Sequence, residues 1–401
     1  MPVIKRQGIK RQDNKRQGSK RQGGKRLVGI AAAIAVTAGA FAAPAMAAAP
    51  AKRGAGHEAT REAMNAALQD GVPGVALQAK DRHGVWKATA GVGNLKTKQP
   101  RSAQDNFRAG SITKTFVATV LLQLEAEGRV SLDDTVDKWL PGVVSGNGHD
   151  GRQITLRQLL NHTSGIFNYT EDESFLRDVF LAEGFFKNRY RTWPPDEIVR
   201  IAMGHKPEFA PGAGWSYSNT NYVIAGMVIK KVTGNSYGDE VRRRVIKPLG
   251  LHGTYMPGTS PTVPRPSSRA YSTLAENPTG KVYDVTELNP SMANSAGEII
   301  SNPGDLNRFY SALMRGKVLP AEQLAEMKTT VAAGDDGRDG LGLFAYELSC
   351  GVTIWGHSGG IHGSSSMAVT TADGEHSLAF NFNGDWSGDP LKVVQAEYCG
   401  S

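Results

Sequence analysis

The chain lacks the features that mark several large protein classes. Two cysteines in 401 residues exclude a disulfide scaffold. A hydrophobic fraction of 40% and a charged fraction of 21% exclude a disordered or collagen-like chain and supply a sizeable core, on the scale of two domains. No glycine-rich phosphate loop occurs, and no Cys, His or carboxylate cluster has metal-ligand spacing. His357 and His362 stand near each other without such company, so neither metal nor cofactor is expected. Long apolar runs are also missing, apart from the 17 uncharged, Ala-rich residues from Leu27 to Ala43.

The formal charge of +8 would by itself suggest nucleic acid or an anionic membrane as partner. Ten of the 46 basic residues, however, lie in the first 26 positions, as Lys-Arg pairs beginning at Lys5, Lys10, Lys15, Lys20 and Lys25, with Asp13 the one acid among them. This basic repeat, the apolar stretch and the small-x-small triplet Ala45-Met46-Ala47 read as an export signal over 1–47, cleaved after Ala47. An uncleaved anchor is the competing reading, and 17 weakly apolar residues are short for a span. No Arg-Arg pair precedes the apolar stretch, which favours general secretion over a twin-arginine route. Removing residues 1–47 leaves 354 residues with 36 basic and 37 acidic side chains, a net charge of −1. The expectation is an exported, wall-associated monomer with no nucleic-acid partner and no stable membrane insertion. Cys350 and Cys399 both lie in the exported part, where disulfides persist, and are expected to pair. Closing that loop would restrict the unfolded chain by about 4 kcal/mol on the entropy model. Two free buried thiols are the alternative.

Residues 48–56 read as a linker, followed by a helix at Glu58 to Leu68 and a hairpin of Gly74 to Lys80 with Val85 to Val92. Thr113 to Glu127 places Phe116, Val117, Val120, Leu121 and Leu124 on one face, the pattern of an amphipathic helix. Helices follow at Leu156 to Asn161, Asp196 to Met203, Asn221 to Thr233, Tyr237 to Ile246 and Pro303 to Met314. Strands return at Thr353 to Gly356, Ser365 to Thr371 and Ser377 to Asn383, before a last helix from Pro390 to Tyr398. The order sheet, helices, sheet predicts an α/β (α+β) domain built from 57–115 and 258–401, with an all-helical domain, 116–257, inserted between its halves.

Three clusters carry chemistry. Ser111-Ile112-Thr113-Lys114 heads the long helix, where a spacing of three puts both side chains on one face. A partly desolvated lysine can take the serine's proton, and the helix N-terminus can hold an oxyanion. A surface serine beside a solvated lysine is the commoner origin of such a pair, yet no other serine here has Lys three residues on. Tyr217-Ser218-Asn219 is the one Y-x-N in the chain; read alone it would be a helix-capping turn. Gly356-His357-Ser358-Gly359-Gly360 closes a predicted strand with residues small enough for a substrate backbone to lie along its edge. The same five residues satisfy the G-x-S-x-G nucleophile elbow, but only 43 residues follow Ser358, too few to complete that fold.

In this order, the three clusters resemble those of the penicillin-recognising serine hydrolases: D-alanyl-D-alanine carboxypeptidases, class C β-lactamases and their esterase relatives. The segments 159–165 (LLNHTSG), 211–222 (PGAGWSYSNTNY), 296–301 (AGEIIS) and 349–351 (SCG) resemble the secreted actinomycete branch, and the likeness runs over roughly 58 to 399. It implies the β-lactamase/DD-peptidase fold, an antiparallel sheet flanked by helices with an inserted helical domain and the site between them. It further implies Ser111 as acylated nucleophile, Lys114 as its activator, Tyr217 as proton relay and Asn219 as substrate-orienting amide. His357 would support the proton network, Ser358 and Gly359 would bind substrate, and the N–H groups of Ser111 and Gly360 would form the oxyanion hole.

One departure bears on substrate. Carboxypeptidases of this branch tend to carry an Arg several residues before the Cys and Thr residues in the His motif, which help bind the peptide's terminal carboxylate; here those places read the Arg-free stretch 342–347, around Phe344, and Ser358 and Gly360. On the resemblance the reading is a carboxypeptidase acting on peptidoglycan stem peptides, with β-lactams as ligands; the departure opens the substrate class. The alternatives are a β-lactamase, esterase or D-amino-acid-specific peptidase on the same machinery, and a non-catalytic binder of β-lactams or wall peptides.

Overall fold

The computed structural model describes residues 56–274, 280–334 and 337–400. The expected export signal lies outside them, as does the linker up to residue 55. Eight strands among the described residues form one antiparallel sheet: β1 (Gly74–Asp81), β2 (Gly84–Gly91), β3 (Val331–Ala333), β4 (Gly337–Asp339), β5 (Phe344–Glu347), β6 (Thr353–Ile361), β7 (Ser364–Thr371) and β8 (Ser377–Phe382). Their spatial order is β2-β1-β8-β7-β6-β5-β4-β3. The N-terminal hairpin thus joins the C-terminal meander at its β8 edge, with Val75 opposite Phe382 and Leu77 opposite Phe380. Between β2 and β3 the chain leaves this sheet and runs mainly through helices.

Five helices position the site: α1 (Glu58–Gln69), α2 (Thr113–Ala126), α3 (Asn219–Thr233), α4 (Pro303–Met314) and α5 (Pro390–Cys399). Alternation in β1 and β8 sends Val75, Leu77, Ala79, Leu378, Phe380 and Phe382 to one face, where they pack with Met64 and Ala67 of α1 and with Val393 and Val394 of α5. Cys350 and Cys399 are joined, their Cα atoms 5.7 Å apart, which ties the end of α5 to the β5–β6 turn. Against the opposite face lie α4 and then α2, their Phe309 and Phe116 rings stacked at 3.8 Å.

Two expectations need correction. The helix read as amphipathic is buried all round, with Lys114, Thr115 and Thr119 as inaccessible as Phe116 and Leu121. Its threonines satisfy themselves on carbonyls, Thr115 on Gly342 and Thr119 on Thr115, so polar residues cost little there. Second, β6 does not end at Gly356 but continues to Ile361 through the glycine-rich cluster. Short helices at Glu173–Phe180, Ala182–Asn188 and Ala321–Met327, and strands β3 to β5, are not read from the sequence, because each spans only about one or two turns or a few strand positions.

Candidate active site

Ser111 lies in the single 3-10 turn Gly110–Ile112 that opens into α2. Two glycines press that turn against β6. Gly110 has φ +58°, and a Cβ on it would stand 2.6 Å from Gly360 N; a Cβ on Gly359 would stand 1.8 Å from Ala109 O. Side chains at either position would push the serine away from the strand, which is why the small residues of the third cluster are needed. From Phe344 to Glu347, β5 covers β6 only as far as Gly356, so this partner strand leaves the stretch from His357 to Ile361 uncovered on the side away from β7.

One turn beyond Ser111, at the start of α2, Lys114 is fully buried. Its Nζ lies 3.1 Å from Ser111 Oγ, 2.8 Å from Asn219 Oδ1 and 2.7 Å from the Ala296 carbonyl. Burial drives the ammonium well below the usual lysine range, against a smaller opposing pull from the charge of Asp339. Burial thus favours the uncharged amine, which has two N–H groups and one lone pair. Asn219 Oδ1 and Ala296 O can only accept, so they take both hydrogens and the lone pair is left for the Ser111 hydroxyl proton.

The amide of Asn219 is oriented by a chain of fixed donors. The Asn219 backbone N–H donates to Asn168 Oδ1 at 3.1 Å, and Nδ2 donates to the same oxygen and to Thr170 Oγ1, which turns Oδ1 toward Lys114. Asn219 is therefore committed within the protein. His162, at φ +61° and buried, accepts at Nδ1 from the Ser218 N–H and from Asn221 Nδ2, so its proton resides on Nε2. Its ring packs 4.4 Å from that of Tyr217, which is half-buried and hydrogen-bonded to Ser111. Burial raises the Tyr217 phenol, partly offset by the Ser111 bond, which keeps it protonated near neutrality.

His357 is buried and pushed down to about 3, first by burial and then by the charge of Lys114. Its Nδ1 donates to the Ser358 carbonyl, an obligate acceptor, so Nε2 of the neutral ring is an acceptor. Phe344 packs on this ring with centroids 4.5 Å apart, and Tyr217 lies 6.5 Å away. Ser358 is exposed on β6, opposite Met367. The structure thus gathers Ser111, Lys114, Tyr217, Asn219, His357 and the 359–360 backbone in one place. Sequence reasoning missed His162, Asn168, Trp215, Asp339 and the Ala296 carbonyl. The segments 159–165 and 296–301 contain two of these and carried a resemblance without a role, whereas Asp339 left no signal.

Comparison with known proteins agrees with this geometry. Residues 45–393 match the Beta-lactamase family. A solved D-stereospecific amidohydrolase from Streptomyces sp. superposes with a TM-score of 0.83 at 57% identity, covering 86% of this chain and 99% of that one. The D-amino acid amidase of Ochrobactrum anthropi SV3, solved with L-phenylalanine amide, gives a TM-score of 0.74 at 29% identity over 86% of this chain and 98% of its own. Penicillin-binding protein 4* of Bacillus subtilis is 28% identical over 77% of this chain and 68% of its own length. These likenesses extend over nearly the whole folded part and, with the buried lysine set beside Ser111, make the chain a serine hydrolase of the Beta-lactamase family.

Proposed function

We propose that the chain is an exported D-stereospecific amidohydrolase that works through a Ser111 acyl-enzyme on D-aminoacyl amides, esters and peptides. The carrying observation is Phe344 packed on neutral His357. A carboxypeptidase needs a cation for the free C-terminus, and residues 340–356 contain neither Lys nor Arg. The name of the Streptomyces enzyme that shares 57% of its residues supports the same choice.

In this reading Lys114 takes the Ser111 proton as Oγ adds to the substrate carbonyl, and the oxyanion is held by the Ser111 and Gly360 N–H groups. The C–N or C–O bond then breaks, the leaving group receiving a proton through Tyr217, and the acyl group remains on Ser111. A water molecule attacks the ester, gives its proton back through the same groups, and frees the D-acid and Ser111. His357 Nε2 accepts a hydrogen bond in this network without carrying charge. Initial rates on D-phenylalanine amide, L-phenylalanine amide and acetyl-D-Ala-D-Ala test the proposal. Turnover confined to the D-amide is expected, and abolished by Ser111→Ala. Faster release of D-Ala from the acyl dipeptide would return the assignment to a carboxypeptidase.

A further inference from the structure

Beside the reacting groups is a carboxyl that the mechanism above does not use. Asp339 ends β4 and is 1% exposed. Its Oδ2 accepts from Trp215 Nε1 at 3.0 Å, while Oδ1 has no hydrogen-bond partner among the described residues. Nor does any Lys or Arg among them form an ion pair with it. When ionised it acts electrostatically on three buried groups, Lys114, Tyr217 and Tyr222. The β4–β5 register sets it directly opposite Phe344, the residue whose ring covers His357. Trp215, its one partner, is two residues before Tyr217 on the same segment.

We propose that Asp339 is a specificity-determining residue whose free carboxylate oxygen receives a substrate ammonium group and turns away a substrate carboxylate. The inference rests on the amidohydrolase reading and deepens it by naming the charge that the pocket selects. Burial holds the carboxyl up at about 8, with the Trp215 hydrogen bond and Lys114 pulling the other way. A bound ammonium supplies the missing counter-charge and draws the group into its ionised form, whereas an incoming carboxylate meets an acid that no described Lys or Arg pairs with. Two parts of a substrate can bring that ammonium: the α-amino group of the acyl half, or an amine carried by the leaving half.

The test uses calorimetry on the full-length Ser111→Ala protein, so it does not depend on turnover. One matched pair is D-phenylalanine amide against N-acetyl-D-phenylalanine amide. The other is N-acetyl-D-phenylalanine 2-aminoethylamide against the propylamide. At least one ammonium-bearing member is expected to bind about tenfold tighter than its neutral partner, and Asp339→Asn to erase that preference. The pair that loses it identifies the half of the substrate concerned. Asn still accepts the Trp215 N–H, so a purely structural role for Asp339 would leave the preference intact. Asp339→Ser, a smaller acceptor, repeats the comparison. No preference in either pair, or a preference that survives both substitutions, overturns the proposal. Loss of D-amide turnover in the unsubstituted enzyme would instead defeat the amidohydrolase reading, so the two failures are told apart.

Discussion

Lys114 and Glu397 are both ionisable groups taken out of water, and the protein treats them in opposite ways. Lys114 Nζ meets a hydroxyl and two neutral carbonyl oxygens, and no described carboxylate touches it, so burial dominates and favours the uncharged amine. Burial alone would push Glu397 up, toward its own neutral form, but hydrogen bonds with His376 at 2.9 Å, Thr60 at 2.7 Å and His57 at 2.9 Å hold its carboxyl below the usual range. One region uses desolvation to make a base; the other cancels desolvation to make a tie between α1, α5 and the β7–β8 turn. The partners, not the depth of burial, decide which outcome follows.

Removing the uncancelled group should have the largest effect. Lys114→Ala is expected to lower kcat on the preferred substrate by about 10³-fold, the scale of a general base, while far-UV circular dichroism stays native. A loss below tenfold would mean that desolvation of this amine is not what activates Ser111. Next in size is Gly110→Ala, which leaves every titrating group in place and tests position alone. Its new Cβ would stand 2.6 Å from Gly360 N at a residue with φ +58°, so the serine turn must shift off β6. A fall in kcat/KM of about 10²-fold is expected from a displacement near 1 Å, together with a lower melting temperature. Unchanged kinetics would show that the 110 to 360 contact does not position the serine.

What could be read from sequence follows how local each feature is. Ser111 with Lys114, and Tyr217 with Asn219, are close in the chain, so their spacing alone puts each pair on a shared turn. Strands β1, β7 and β8 were legible because alternation and branched residues mark them within a few positions. His162 and Asn168, on one loop, and Ala296 and Asp339 reach the site from three separate segments, and only tertiary packing unites them. The spacing of Tyr217 and Asn219 could not reveal that the Asn219 carbonyl faces Lys114, because that orientation is relayed from Asn168. The same limit explains β6: His-Ser-Gly-Gly has weak strand propensity, and the chain stays extended there because Ala109 and Gly110 need the room.

The smallest effect on activity, and the sharpest check on the comparison, belongs to Glu397→Gln. The substitution removes the charge that His57 and His376 share while keeping the shape of the side chain, and it should cost about 3 kcal/mol of unfolding free energy by denaturant titration. Catalysis per folded molecule should not change, because Glu397 bonds only with α1 and the β7–β8 turn. The pH dependence of that cost has a definite sign. With the folded carboxyl below its ordinary value of 4.5, the folded state binds fewer protons than the unfolded chain between the two values, so stability rises with pH through that window. The contribution is complete above the ordinary carboxylate range and is lost as pH falls through the depressed folded value. Wild type and variant should therefore differ most near neutrality and converge in acid. A gap that widened in acid would mean that Glu397, like Lys114, is buried at the expense of its charge, and the contrast between the two regions would fail.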